Sequence, residues 1–157
     1  MALTSVAAII EEGGFCKEQF PESASVARDQ AAFEVLVTGR LNEAAAELRL
    51  SVGATNYASA DADTAAALTT AEKYAACAKC FTTMINTIAA WDAEVLPSEF
   101  VESDTCERQR DWYTQEARSI ASRFATTPYG RTDLPGIISS GISPVPEYSP
   151  FTSETYP

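Results

Sequence analysis

Two cysteines separated by two residues are the side chains whose types and spacing come closest to a reactive site. Cys77 and Cys80 form a Cys-x-x-Cys pair, and Cys16 and Cys106 could complete a four-thiolate zinc site. The pair falls inside a predicted helix, whereas zinc knuckles place it at a turn, and no βαβ pattern typical of a thioredoxin-like protein surrounds it. We therefore interpret the four cysteines as buried thiols that pack as small apolar side chains.

The residues that hydrolytic and phosphate-binding sites most often require are absent from the sequence. It contains no histidine to act as a general base, no Gly-x-Ser-x-Gly segment and no glycine-rich phosphate loop. Acidic pairs such as Glu11-Glu12 and Asp61-x-Asp63 fit helix ends and do not follow the calcium-loop pattern. We expect a protein that is not an enzyme and holds no metal ion or cofactor, with carboxylate catalysis as the remaining enzymatic alternative.

The segment around the cysteine pair also resembles the bilin-attachment helix of phycobiliproteins. In that family a cysteine is followed by a basic residue and then by an aspartate that holds the pyrrole nitrogens. Here Lys79 lies two positions after Cys77, and Cys80 stands where the aspartate would be. A pigment- or ligand-binding helical bundle therefore stays open as an alternative.

The charge balance argues against a protein that grips nucleic acid. The chain has 11 basic and 22 acidic residues, a formal net charge of −11, and the basic residues are scattered. A nucleic-acid-binding protein needs a basic face to neutralise phosphates. An acidic surface is compatible with solubility or with DNA that passes nearby without specific binding.

No membrane or export signal is visible in the sequence. It has no run of 18 apolar residues, and its N-terminal segment MALTSVAAIIEEGG lacks the basic start of a signal peptide. We expect a protein that is made and kept in a reducing cytoplasm and that does not contact a membrane.

Helices must position the cysteines and the acidic residues, because alanine is abundant and apolar residues recur every three or four positions. The predicted fold is all-α, a bundle of about four helices of which one is short and three are long. These helices are predicted to run from Thr4 or Ser5 to Glu12, from Ser23 or Ser25 to Ser51, from about residue 64 to 91, and from Asp104 to Phe124.

Local signals mark the ends of these helices. Gly13-Gly14 and Gly53 are predicted to end the first two, and Asp61 or Asp63 to cap the third after a polar loop over residues 53–62. Asp104-x-x-Glu107 is predicted to open the last helix as a capping box. Gly39 lies inside the second helix, where it is unfavourable, and indicates a close helix contact.

Two apolar faces are expected to build the core. The third helix is expected to be the most buried element. The predicted face of the second helix comprises Val26, Phe33, Leu36, Val37, Leu41, Ala45 and Leu48. The predicted face of the third comprises Leu68, Ala71, Ala75, Ala78, Phe81, Ile85 and Ile88.

The C-terminal segment has a different composition from the helical part. Residues 125–157 contain six of the eight prolines and show no helical period, so we divide the chain into a helical body, residues 1–124, and an extended arm, residues 125–157. Within the arm, residues 136–142 are a candidate edge strand for pairing with another chain. Aromatic and aliphatic residues between the prolines are expected to anchor the arm in grooves of a neighbouring protein. These predicted anchors are Tyr129, Ile137, Ile138, Ile142, Tyr148, Phe151 and Tyr156.

The order of these elements resembles that of the head–tail connector (portal adaptor) proteins of tailed bacteriophages. In that family a short N-terminal helix, a long helix, an alanine-rich buried helix, a charged-aromatic last helix and a C-terminal extension follow one another. The matching parts here are Leu3-Thr4-Ser5-Val6-Ala7-Ala8-Ile9-Ile10, Phe33 to Leu50, Ala65 to Ile88, and Arg108-Gln109-Arg110-Asp111-Trp112-Tyr113 to Phe124.

The resemblance implies a structural virion protein. It implies a homo-oligomeric ring, commonly a dodecamer, that docks between the portal protein and the tail proteins, with DNA passing through its centre. The arm would lie on the portal or on an adjacent subunit. The alternatives are another virion part, such as a tail-completion or head-decoration protein, and the pigment- or ligand-binding bundle.

Overall fold

Five α-helices and one short 3₁₀ turn make up the part of the chain that the computed structural model describes, residues 2–22, 28–59, 61–89 and 103–125. The elements are α1 (Val6–Gly13), a 3₁₀ turn (Lys17–Gln19), α2 (Gln30–Val52), α3 (Ala54–Tyr57), α4 (Ala62–Ala89) and α5 (Ser103–Ala121). These residues contain no β-strand, so the predicted all-α helical bundle is confirmed. None of their helices combines the length and the apolar character that crossing a membrane would need.

Helix α1 begins and ends where the sequence predicts. The Ser5 hydroxyl accepts a hydrogen bond from the Ala8 N–H at 3.2 Å and caps its first turn. Gly14 ends the helix with φ 62°, a left-handed conformation that favours glycine. Gly13 has a different reason to lack a side chain, since a Cβ there would lie 2.1 Å from the Phe15 ring.

Helix α2 begins later than predicted. The Asp29 carboxylate accepts from the Ala32 N–H at 2.7 Å and caps a helix that starts at Gln30, so the predicted start at Ser23 or Ser25 is wrong. The physical reason is that Asp29 is itself a good N-cap and its own backbone is extended. Val26 lies outside the described residues. At the other end Gly53 follows the helix, as predicted, and its N–H donates to the Arg49 carbonyl at 3.0 Å.

The connection between α2 and α4 is more ordered than the predicted polar loop. It contains the one-turn helix α3, whose Tyr57 side chain is buried. Asp61 then caps α4, as one of the two predicted candidates, by accepting from the Thr64 N–H at 2.8 Å.

Helix α5 differs from its prediction at both ends. It begins at Ser103, so Asp104 lies in the first turn, and the predicted capping box with Asp104 as the N-cap is wrong. The helix ends at Ala121, and a turn closed by the Phe124 N–H on the Ala121 carbonyl at 3.0 Å carries the chain to residue 124.

Helix α4 is the centre of the bundle, as predicted, because it packs against α1, α2, α3 and α5. Its predicted apolar face is buried at Leu68, Ala71, Ala78 and Phe81 and partly buried at Ala75 and Ile85, while the side chain of Ile88 is not described. The α2 face is buried at Phe33, Val37, Leu41 and Leu48.

A run of aromatic rings crosses this core. Phe33 of α2 contacts Phe20, which contacts Phe15, with ring centroids 5.5 and 5.8 Å apart. Phe15 meets Phe81 of α4 at 4.9 Å, and Phe81 stacks on Tyr113 of α5 at 5.8 Å. The connection after α1, which has no helical period, therefore supplies two rings that join α2 to α4.

Gly39 does not mark a close contact between the helices of the described body, so the predicted close helix contact is not found there. Gly39 is exposed, and nothing lies within 4 Å of a Cβ built on it. Gly39→Ala is therefore expected to raise the free energy of unfolding in dilute solution by about 0.5–1 kcal/mol, because alanine favours the helix and narrows the unfolded ensemble. Urea unfolding followed by circular dichroism measures the change. Gly14→Ala is the matched control and should lose stability, since its φ of 62° strains any side chain.

Candidate functional site

Three of the four cysteines pack into the core. Cys77 and Cys80 on α4 and Cys106 on α5 are buried, and the Cys77 thiol points to the Ile9 carbonyl at 3.8 Å. Burial raises the pKa of Cys77 and of Cys80 to about 12, and it also raises the pKa of Cys106. These thiols stay protonated near neutral pH and act as small apolar side chains, as predicted.

Cys16 is the exception to that prediction, since its side chain is exposed. Phe15 and Phe20 on either side enter the core, and the Cys16 N–H donates to the Gln19 side chain at 2.9 Å at the start of the 3₁₀ turn. The exposed Cys16 therefore does not join the buried pair. No group of three or more cysteine, aspartate or glutamate side chains within the described residues is arranged to hold a metal ion.

The buried thiols and phenols predict a fall in stability at alkaline pH. The pKa of Cys77, of Cys80 and of Tyr113 is raised by burial to about 12 in the folded chain. In the unfolded chain thiols titrate near ~8.5 and phenols near ~10. The folded state thus holds protons that the unfolded state loses. The contribution of these groups to the free energy of unfolding should be largest below pH ~8.5 and should decline as pH rises toward ~12. Urea midpoints at pH 7 to 11 measure the decline, which should be shallower in a Cys77→Ala/Cys80→Ala variant. A midpoint that does not change with pH would contradict it.

The most unusual polar group in the core is the carboxylate of Glu72. It lies on the core face of α4 beside Leu68 and Ala71 and is fully buried. Its Oε1 accepts from the N–H groups of Leu3 at 2.7 Å and of Thr4 at 2.9 Å, and its Oε2 accepts from the Tyr57 hydroxyl. Burial, and then the hydrogen bond to Glu72, raise the pKa of Tyr57.

These hydrogen bonds give Glu72 a structural role. A buried carboxylate is unfavourable unless donors compensate for the lost water. Here the segment before α1 and the one-turn helix α3 supply those donors, so one side chain of α4 fixes both. Both oxygens of Glu72 accept hydrogen bonds within the subunit. The geometry therefore indicates a contact that holds these elements together, and not a general acid or base.

A second polar cluster ties α1 to the rest of the bundle. The Lys73 ammonium lies 2.5 Å from the Glu12 carboxylate, whose hydrogen bond raises the pKa of Lys73. The Tyr113 hydroxyl donates to the Glu12 carbonyl at 3.1 Å. Both contacts reach the last turn of α1, where the backbone carbonyls lack helical partners.

Two shallow depressions lie on the described surface near this cluster. One lies beside Ala8, Glu11, Glu12 and Lys73, and the other passes over Gly13, Phe15 and Met84 to Tyr113. Both are wide open to solvent, unlike the concave, mostly apolar pockets that enclose small ligands.

The solvent-facing side of α2 is the most unusual surface of the described body. Five residues spaced by three or four positions lie opposite the buried face of this helix. We call them the outer face: Val35, Gly39, Asn42, Ala46 and Leu50. All five are exposed and none is charged, and Val35 and Leu50 are 72% and 70% exposed. Helix α2 therefore carries an uncharged side with two large apolar residues opposite its buried face, whereas a surface helix normally has charged and polar residues there.

Charged residues border the outer face along both edges. On one edge Arg40 pairs with Glu43 at 2.8 Å, and Lys79 of α4 pairs with Glu47 at 2.7 Å. On the other edge lie Glu34 and Arg49, both exposed, and neither forms an ion pair within the described residues. Charged residues thus surround an uncharged face, and a polar rim is a feature of many protein–protein contacts.

The predicted arm anchors lie outside the residues that the structure describes. Tyr129, Ile137, Ile138, Ile142, Tyr148, Phe151 and Tyr156 all lie beyond residue 125, as does the candidate edge strand at residues 136–142. They remain predictions, and so does the division into body and arm. What sequence reasoning missed is the outer face of α2 and the buried Glu72.

Comparisons of the chain with known protein families, with curated proteins and with solved structures each give no match.

Proposed function

We propose that this chain is a structural subunit of a tailed-bacteriophage virion, a head–tail connector whose copies form a ring between the portal protein and the tail. The observation that carries the proposal is the outer face of α2. Single exposed apolar residues are ordinary, but an uncharged face that includes Val35 and Leu50 along one helix is typical of a surface that another protein covers. Subunits of a ring cover one another in this way.

The polar groups of the described body support a structural and non-enzymatic role. Glu72 is engaged by Tyr57 and by two backbone N–H groups, and Glu12 by Lys73. The thiols of Cys77 and Cys80 are buried and protonated near neutral pH. Each of these groups acts inside the fold, so among the described residues we look for function on the exposed surface, of which the outer face of α2 is a part.

The charge of the chain supports the passage of DNA without binding. A net charge of −11 in each copy would be multiplied by the ring, commonly a dodecamer in the family that the sequence resembles. Carboxylates that face the channel would repel phosphates and keep DNA from adhering to the wall.

Immunogold electron microscopy of particles from the culture that produces the protein tests this role. Antibodies against the chain should mark one vertex of a tailed particle, at the junction of head and tail. Label over the whole capsid would indicate a head-decoration protein, and label along or at the far end of the tail would indicate another tail part. Either result would replace the connector proposal.

The role of the arm has its own test. A chain that lacks residues 135–157 is expected to remain a soluble helical body by circular dichroism and to lose its place in the assembled particle. A substitution in the same segment that keeps the prolines and the predicted anchors, such as Ser139→Ala, is the control and should still be incorporated. Incorporation of the truncated chain at the level of the full chain would contradict a role for the arm.

A further inference from the structure

We propose that the outer face of α2 binds the same face of a second copy of this chain, with the two helices antiparallel and related by a two-fold axis close to Asn42. This inference concerns the free protein and goes beyond the proposed virion role, on which it does not depend. An isologous contact of this kind requires a patch that is complementary to itself.

The pattern of the outer face meets that requirement. Val35 lies seven positions before Asn42 and Leu50 lies eight positions after it, and both are large and exposed. Gly39 lies three positions before Asn42 and Ala46 four positions after it, and both are small. Turning the helix end over end about Asn42 therefore brings Val35 opposite Leu50 of the second copy and Gly39 opposite its Ala46.

The small residues allow the two helices to approach closely at the centre. The space around Gly39 is empty, since nothing lies within 4 Å of a Cβ placed there. Helices approach below the usual ~8–10 Å only where the residues between them are small. With Gly39 and Ala46 at the crossing, the side chains of Val35 and Leu50 would close over the two ends of the contact.

The charges along the edges are complementary in the same arrangement. Glu34 lies eight positions before Asn42 and Arg49 seven after it, on the same edge of the face. The antiparallel pairing brings Arg49, which has no ion pair within the described body, opposite Glu34 of the second copy. Across the other edge, Arg40 comes opposite Glu43 of the second copy, so charges of opposite sign alternate there. A parallel pairing would instead set each edge of the face against the opposite edge of the second copy, so Glu34 and Arg49 would not meet.

The size of the contact makes the pair a weak one. A single pair of helices covers less than the ~1,200 Å² of an ordinary stable interface, so we expect dissociation in the micromolar range. A ring with only rotational symmetry contains no two-fold axis across neighbours. The pair is therefore the form of the free chain, and entry into a ring would transfer the outer face to a different partner.

Disulfide trapping tests the geometry. In a Cys16→Ser background, which removes the exposed thiol, Asn42→Cys should give a covalent dimer under mild oxidation, because two copies of residue 42 meet near the axis. Val35→Cys is the matched control on the same face. It should not cross-link to itself, because the two copies of residue 35 would lie ~20 Å apart at 1.5 Å per residue. A mixture of the Val35→Cys and Leu50→Cys chains should cross-link to each other. Equal cross-linking of Asn42→Cys and Val35→Cys alone, or none in any chain, would overturn the proposal.

Sedimentation velocity of the full chain tests the pairing without any cysteine. The native chain should shift from monomer to dimer as its concentration rises from about 1 to 200 µM, a range set by the expected micromolar dissociation. Val35→Lys/Leu50→Lys should stay monomeric throughout, and Ala66→Lys/Ser119→Lys, at exposed positions of α4 and α5, should behave as the native chain.

Gly39→Leu separates pairing from folding. It should keep or increase the helix content of the monomer and weaken the dimer at least about tenfold, because a large residue fills the crossing point. A native chain that stays monomeric at 200 µM, or a dimer that Gly39→Leu leaves unchanged, would overturn the proposal.

Discussion

Glu72→Ala is expected to lower the free energy of unfolding by about 2–4 kcal/mol. The substitution removes the acceptor of the buried Tyr57 hydroxyl and of the N–H groups of Leu3 and Thr4, and it leaves a cavity beside Leu68. The cost of an unpaired buried donor is larger than the gain from a typical hydrogen bond, so the loss should exceed that of a surface change. Urea unfolding followed by far-ultraviolet circular dichroism measures it.

Two variants show whether the loss comes from the hydrogen bonds. Glu72→Gln keeps the shape and one acceptor oxygen, so we expect a smaller loss of about 1–2 kcal/mol. Glu107→Ala removes an exposed carboxylate from α5 and should change stability by less than about 0.5 kcal/mol. Combining Glu72→Ala with Tyr57→Phe should cost less than the sum of the two single changes, because each removes the same contact. A Glu72→Ala chain as stable as Glu107→Ala would show that the hydrogen bonds of Glu72 contribute nothing to the free energy of unfolding.

Phe20→Ala is expected to cost about 3–5 kcal/mol, although Phe20 lies in a connection and not in a long helix. Its ring is 1% exposed and contacts both Phe15 and Phe33, so its removal interrupts the run of rings that joins α2 to α4. The exposed Trp112 is the control. Trp112→Ala should cost less, because 48% of that residue is already in water.

Thermal unfolding and urea unfolding should both show that Phe20→Ala is less stable than Trp112→Ala. Phe20→Ala should also expose Cys77 and Cys80 to thiol reagents more often, because local opening of the core becomes easier. If Phe20→Ala loses no more stability than Trp112→Ala, the conclusion that the connection after α1 contributes to the core would be contradicted.

The sequence predicts the helices well wherever local signals act alone. Helix α1 is predicted at both ends because its cap candidates are adjacent residues, Thr4 or Ser5 at the start and Gly13-Gly14 at the end, of which Ser5 and Gly14 are the caps. The start of α2 is wrong because Ser23, Ser25 and Asp29 are all acceptable caps, and only the folded chain chooses Asp29. The short helix α3 is missed because its Tyr57 is held by a contact from α4, which no local pattern reports.

The hydrogen bonds of the buried Glu72 could be predicted only in part. Glu72 falls beside Leu68 and Ala71 on the apolar face of α4, and a charged residue on such a face is a visible signal. Its donors are not visible, because two of them are backbone N–H groups about 70 residues away in sequence. Exposure of Cys16 is likewise decided by which neighbours, here Phe15 and Phe20, enter the core.

The outer face of α2 was within reach of the sequence. Val35 and Leu50 recur with Gly39 and Ala46 at helical spacing, on the side opposite Phe33 and Val37. A period-based reading assigns apolar residues to one core face and overlooks a second face on the same helix. Its partner could not be predicted, since that depends on what lies outside the subunit.

We propose that this chain works as one of several copies in an assembly. Native mass spectrometry of the complex that the full chain forms in the cell that makes it, with electron microscopy of the same sample, tests this directly. We expect ring-shaped particles that contain several copies of the chain, so that its share of their mass is an integer multiple of 16.8 kDa. A lone species of 16.8 kDa in that preparation, with no larger particle that contains the chain, would contradict the account.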